Sequence, residues 1–251
     1  MTDPARIEVV LVRPARPANV AAACRAMKNM ALQSLRIVGA PAGFVTSEAR
    51  NLAYGAWDVL DAALTAATLL EAVGESLFVV GTTGRARPDT WTPRRLAAEA
   101  QSRPRGGTMS LVFGPEASGL TNEELALCHR RVHIPTSTEH SSLNLAQAVL
   151  ILAYELHVAG ESSEPPAEPA SLPAEGPRAT AGQLEHAVQA LKAGLLDVGY
   201  LNPANPDAVL GELRDLLARA SPTPREVTLV RGLARQVAWA GRRARGRPPM
   251  G

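Results

Sequence analysis

Lysine is nearly missing from this chain: among 26 basic residues only Lys28 and Lys192 are lysines, and the other 24 are arginines. Cysteine is as scarce. Cys24 and Cys128 are too few for a disulfide framework, lack metal-ligand spacing, and suit small buried hydrophobes. His129 and His133 stand four apart, but 132–134 reads as strand and no glutamate completes a zinc motif, so no metal is expected. No stretch reaches the roughly 18 apolar residues of a membrane span, and the first residues hold an acid and no long apolar run. A cytoplasmic protein without a membrane partner is expected. Two nucleotide cradles are also lacking, the Gly-x-Gly-x-x-Gly fingerprint opening a helix and the Gly-x-x-x-x-Gly-Lys-Ser/Thr loop.

What is present suffices for one full core and a smaller appendage: 251 residues, 46% hydrophobic and 20% charged. The net charge of +2 points to no partner by itself. The arginine excess has two readings, bidentate phosphate recognition or a compositional bias shared with alanine and proline. The tail 241–251, with Arg242, Arg243, Arg245 and Arg247 and no acid, is the best candidate for a phosphate-contacting arm.

Along the chain, strands and helices alternate. The β-branched run 7–12 reads as a buried strand, followed by a turn with Pro14 and Pro17; Asn19 is placed to cap a helix running to about Met30. Residues 35–38 read as a second strand, 47–54 as a short helix, 59–60 as a brief pairing, 64–73 as helix and 77–80 as a third clear strand. Thr92 and Pro93 open a helix over 93–101, and 109–113 is the next strand. Thr121 and Glu124 form a capping box, with Leu120 and Leu125 as a hydrophobic staple. Such alternation predicts a mostly parallel sheet covered on both faces.

The stretch 132–156 joins a short strand, a polar loop and a helix almost devoid of charge. Ser141 and Ser142 stand at its expected N-terminus, where hydroxyls can cap free N–H groups and an anionic ligand group is favoured. From Leu143 to Ala153 nearly every face is apolar, so burial is expected inside the domain or against a second subunit. Asn144 and Gln147 are the exceptions: each is a satisfied cap or a group held for a ligand. Residues 160–178, rich in Glu, Pro, Ser and Ala, read as a linker. Three helices follow, with apolar stripes through Leu184 and Val188, through Leu210 and Leu213, and through Val227 and Val230; Thr223 and Glu226 cap the last.

Ligands of an open parallel sheet sit beyond the carboxyl ends of its strands, which singles out the loops 81–87, 114–119 and 134–144. Taken together, these loops and the first helix resemble a known family. Asn19 followed by Arg25, then Phe-Gly-Pro-Glu-Ala-Ser-Gly-Leu at 113–120, Ile-Pro at 134–135 and Ser-Ser-Leu-Asn-Leu-Ala at 141–146 resemble the three ordered motifs of the SpoU/TrmH branch of SPOUT RNA methyltransferases. Matches at 54–59, 80–83, 225–226 and 229–232 point to the subgroup that 2'-O-methylates the ribose at position 32 of the tRNA anticodon loop.

The resemblance implies an α/β domain over 1–159 whose parallel sheet ends in a C-terminal trefoil knot, a linker over 160–179 and a helical extension with a basic tail over 180–251. It implies S-adenosylmethionine as cofactor, tRNA as substrate and a homodimer. Carried over by position, the cofactor is held by Thr82, Thr83, Gly84, Gly114, Ile134, Ser141, Ser142 and Leu143. Arg25, Glu116, Ser142 and Asn144 match catalytic or near-catalytic positions, and Asn19 the asparagine of the first motif. Ala18 and Ala21 replace glycines usual in that motif, and Pro115 a position often basic. Two further functions stay open, ribosomal RNA methylation and a non-catalytic RNA-binding or assembly protein.

Overall fold

In a computed structural model, described over residues 6–45, 47–101, 106–139, 142–161, 177–244 and 246, the chain divides into two compact units, Met1–Ser171 and Leu172–Gly251. The first holds strands β1 (Arg6–Val12), β2 (Ser34–Val38), β3 (Leu64–Ala66), β4 (Phe78–Thr82), β5 (Thr108–Phe113) and β6 (Arg130–Val132). Its helices are α1 (Pro17–Asn29), α2 (Ser47–Leu52), α3 (Trp57–Asp61), α4 (Leu69–Val73), α5 (Pro93–Gln101), α6 (Asn122–Ala126) and α7 (Leu145–Glu161). The six strands form one parallel sheet in the order β3-β2-β1-β5-β4-β6.

The β-branched run of β1 lies at the centre because both its faces are buried. Val9 and Leu11 join the core beneath α1 and α7, and Val10 and Val12 are equally inaccessible on the other face. Several local expectations change. Residues 59–60 belong to α3, and 64–73 divides into β3 and α4, because three residues there pair with β2. Helix α1 starts at Pro17 after Arg16, which makes no side-chain cap, so Asn19 lies inside the first turn. The small residues Ala21, Ala23 and Ala26 of α1 are buried within this unit, where α1 packs against α7, and offer no surface to a second copy.

Helix α7 begins at Leu145, two residues later than its apolar run suggests, and it is buried along one stripe only. Leu145, Val149, Leu152, Ala153 and Leu156 face the core, while Tyr154 is 51% exposed and Val158 40%. Of the two expected kinds of burial, the domain itself provides one stripe, and the opposite side is left uncovered within the chain.

The second unit consists of α8 (Ala181–Asp197), α9 (Asp207–Ala220) and α10 (Pro224–Ala244). Glycines set how closely α8 and α10 pack: a Cβ added to Gly194 would stand 2.6 Å from the Ala234 carbonyl oxygen, and one on Gly241 2.6 Å from that of Asp197. Thr223 and Glu226 cap α10 reciprocally as expected. Arg242 and Arg243 belong to α10, where Arg242 pairs with Asp197 at 2.9 Å and Arg243 lies over Trp239; Arg245 and Arg247 fall outside the described residues.

Candidate functional site

The carboxyl ends of β4, β5 and β6 open into a cavity of about 590 Å³, a size suited to a nucleoside-like ligand. Each strand contributes the loop that follows it. Thr82 ends β4 with its hydroxyl donating to the Val112 carbonyl at 3.1 Å, and the Thr83 N–H donates to the Val132 carbonyl at 2.9 Å. Thr82, Thr83 and Gly84 are thereby fixed on the cavity wall.

After β5 the chain doubles back. A Cβ on Gly114 would stand 2.4 Å from the Gly119 carbonyl carbon and 2.4 Å from the Leu120 nitrogen, so only glycine permits this crossing. Gly119, at φ +68°, closes the turn with its N–H donating to the Pro115 carbonyl. The crossing brings Gly114, Glu116, Ala117, Ser118 and Gly119 of this loop to the cavity wall. The capping box of Thr121 and Glu124 starts α6 at once and holds the far side of the loop.

Glu116 lines the cavity and is tied to the first motif. One carboxylate oxygen accepts from the Asn19 side-chain amide and the other from the Ala15 N–H at 3.2 Å. Asn19 is therefore a brace for Glu116 rather than a helix cap, and Glu116 is not a free surface acid. Nearby, Arg13 forms a forked pair with Glu124, with Nη2 to Oε2 at 3.1 Å. Burial raises the Glu124 carboxyl, but the Arg13 hydrogen bond, the Thr121 N–H and the Arg13 charge outweigh it and hold it below its ordinary value.

Beyond β6, Ile134, Ser142 and Leu143 complete the wall, so seven of the eight positions matched to cofactor binding meet around one cavity. The eighth, Ser141, lies outside the described residues. Asn144 resolves as a cap: its Oδ1 accepts from the Ala146 N–H at 2.9 Å, and its own N–H donates to the Gln147 Oε1 at 3.0 Å. That reciprocal pair takes the place expected of Ser141 and Ser142, and leaves the Asn144 side-chain NH₂ for a second partner. Arg25 is exposed on α1, does not line the cavity, and has no partner among the described residues.

The wall also holds groups that the motifs did not assign. Arg85 and Arg87 bring positive charge to it, and His133, whose Nδ1 lies 3.2 Å from the Thr83 carbonyl and so carries the proton, locks two of the loops together. The glycine-started loop 81–87 was the available signal for the arginines; nothing local marks His133. Burial pushes both thiols, Cys24 and Cys128, up to about 12, so neither supplies a thiolate near neutral pH. Among the described residues no cluster of His, Cys, Asp and Glu could hold a metal, and no helix is long and apolar enough to cross a membrane.

Residues 6–154 match the SpoU rRNA Methylase family, and residues 182–248 match the C-terminal domain of the tRNA methyltransferase TrmJ. Among curated relatives, the chain is 38% identical over 230 residues to the tRNA (cytidine/uridine-2'-O-)-methyltransferase TrmJ of Klebsiella pneumoniae, covering 90% of this chain and 94% of that protein. It is also 38% identical over 237 residues to the tRNA (cytidine/uridine/adenosine-2'-O-)-methyltransferase TrmJ of Pseudomonas aeruginosa, covering 91% and 92%. Among solved structures, TrmJ from Z. mobilis ZM4 superposes with a TM-score of 0.76 at 32% identity, covering 93% of this chain and 98% of that one.

Proposed function

The chain belongs to the SpoU rRNA methylase family, and from that membership we propose that it transfers a methyl group from S-adenosylmethionine to the 2'-oxygen of a ribose in tRNA, at position 32 of the anticodon loop. The observation that carries this reading is convergence: three loops far apart in sequence, each bearing one part of the family pattern, enclose a single cavity. The donor supplies an electrophilic methyl on a sulfonium, and the protein's task is to hold donor and acceptor rigidly in line. The residues fit such a donor. The close chain crossing at Gly114 sets one wall for a flat ring, Thr82, Thr83, Gly84 and Ile134 offer backbone and hydroxyl groups to the rest, and Ser142 and Leu143 close the cavity beside the start of α7.

Glu116, held from two sides by Asn19 and Ala15, orients the RNA-facing groups. Arg25, outside the cavity, acts from the RNA side as a cation that holds the adjacent phosphate and favours ionisation of the hydroxyl. A guanidinium loses its proton only above pH 12, which makes it a poor base. Asn144 serves α7 through its oxygen and, exposed beside the cavity without lining it, turns its NH₂ to the RNA. The exposed apolar stripe of α7, with Tyr154 and Val158, supports a homodimer, and the family pattern supports a knot in the carboxyl-terminal part of the first domain. The domain over 1–159 carries the chemistry. The extension over 180–251 grips the tRNA body through α10, whose solvent-facing side sets Leu229, Leu233 and Trp239 beside arginines. A tRNA substrate places the enzyme in the cytoplasm.

Calorimetric titration with S-adenosylmethionine, followed by methyl incorporation into unmodified tRNA and into ribosomal RNA with mapping of the ribose, tests the proposal. Micromolar cofactor binding with methylation of a single anticodon-loop ribose is expected. Cofactor binding without transfer to either RNA would leave a binding protein, and transfer to ribosomal RNA alone would replace the substrate.

A further inference from the structure

Outside the cavity, two arginines meet over one ring at the edge of the sheet. Trp91 extends the sheet past β6: its N–H donates to the Arg131 carbonyl at 2.9 Å, and its carbonyl accepts from the His133 N–H at 2.9 Å. The Trp91 backbone is thus bonded directly to His133, a residue of the cavity wall. Only 7% of Trp91 is exposed, and two guanidiniums cover its ring, Arg95 at 5.1 Å and Arg130 at 5.2 Å from the centroid.

Stacking on an aromatic ring occupies the flat face of a guanidinium and none of its N–H donors, and it restricts the side chain before any ligand arrives. Arg95 is exposed in the first turn of α5, whose positive end adds to the same field, and it has no acidic partner among the described residues. Two carboxylates near this edge are engaged with other arginines, Asp89 with Arg131 at 3.6 Å and Glu155 with Arg94 at 3.7 Å. The loop that ends in Trp91 also carries Arg85 and Arg87 on the cavity side. Gathering arginines in this way is unfavourable in the free protein and becomes favourable when a polyanion binds and releases its counterions.

We propose that this edge, with Arg95 and Arg130 stacked on Trp91 beside the cavity, is a phosphate-binding track for the RNA segment flanking the nucleotide in the site. The inference rests on the RNA-methylating reading above and extends its substrate footprint from the cavity along the sheet edge. Full-length protein binding an unmodified tRNA transcript, followed from about 50 to about 200 mM salt, tests it. Arg95→Ala is expected to lower the slope of log affinity against log salt by about one, so that its deficit is about fourfold larger at the lower salt. Arg95→Glu should do more. Both variants should keep wild-type S-adenosylmethionine affinity and melting temperature, and Arg50→Ala, whose guanidinium pairs with Asp61, should keep the wild-type slope.

Wild-type slopes in both Arg95 variants, or an equal loss in Arg50→Ala, would overturn the track while leaving the methyltransferase reading intact. A wild-type protein that binds no tRNA would overturn both.

Discussion

The two ends of the same sheet use similar polar residues to opposite effect. At the amino end, Glu8 is buried between strands: the Arg36 guanidinium reaches its Oε1 at 3.2 Å and the Ser34 hydroxyl reaches the same oxygen at 3.3 Å. Close by in register, the buried hydroxyls of Ser76 and Ser110 bond each other at 2.7 Å. These groups bond one another and line no part of the cavity described above. At the carboxyl end, Glu116 and Asn19 also pair, but Glu116 does so from the wall of a cavity. A polar group held at a void is available to a ligand; one spent on a neighbour contributes to stability alone. Variants at the carboxyl end should therefore change the reaction with little change in stability, and variants at the amino end the reverse.

The largest effect is expected from Gly114→Ala. Its Cβ meets backbone atoms that cannot turn aside, so the loop 114–119 must move and calorimetry should detect no S-adenosylmethionine binding. Wild-type binding by this variant would show that the close crossing is not needed for the site.

Arg25→Ala should lower single-turnover methyl transfer by about two orders of magnitude, roughly 3 kcal/mol, with cofactor affinity nearly unchanged. Arg25→Lys should keep part of the rate. A pH–rate profile of the lysine variant that rises toward lysine's ordinary pKa of about 10.4, with no such rise in the wild type, would instead make this position the proton acceptor.

At the other end, Glu8→Ala leaves Arg36 without its carboxylate partner, and the Arg36 Nε is already buried without a hydrogen bond. A loss of about 3 kcal/mol in denaturant unfolding is expected, with kcat/KM unchanged. A comparable fall in rate would erase the distinction between the two ends. Ser110→Ala, which orphans the Ser76 hydroxyl, should cost about 1–2 kcal/mol by the same measurement.

The smallest effect belongs to Arg13→Ala, which removes the partly exposed pair with Glu124 and should cost under about 1 kcal/mol near neutral pH. Because the folded Glu124 carboxyl lies below its ordinary 4.5, its contribution is present above that value and fades as pH falls through the lower folded value. The stability difference between wild type and Arg13→Ala should therefore be widest near neutrality and shrink in acid. A difference that stays constant down to acid pH would show that packing of the arginine stem, and not its charge, is what was lost.

Much of this was legible in the residues. The β-branched run of β1, the Thr92–Pro93 start of α5 and the caps at Thr121 and Thr223 each depend on neighbours a few positions away, and each forms where expected. The errors lie where local signals compete. Residues 64–73 carry one helical pattern yet hold a brief strand and a short helix, whereas of the two readings of Asn144, cap and ligand group, the cap is formed by its bond to the Ala146 N–H.

The sequence by itself determined the β1 strand, the start of α5 and the caps at Thr121 and Thr223, because these obey short-range sterics and hydrogen bonding that residue identity dictates. Only the tertiary structure decided that Asn19 reaches across 97 positions to Glu116 instead of capping its own helix, that Arg25 faces outward, and that α7 keeps an uncovered apolar side. Those outcomes depend on which strand ends the folded sheet brings together, and no spacing along the chain encodes that distance.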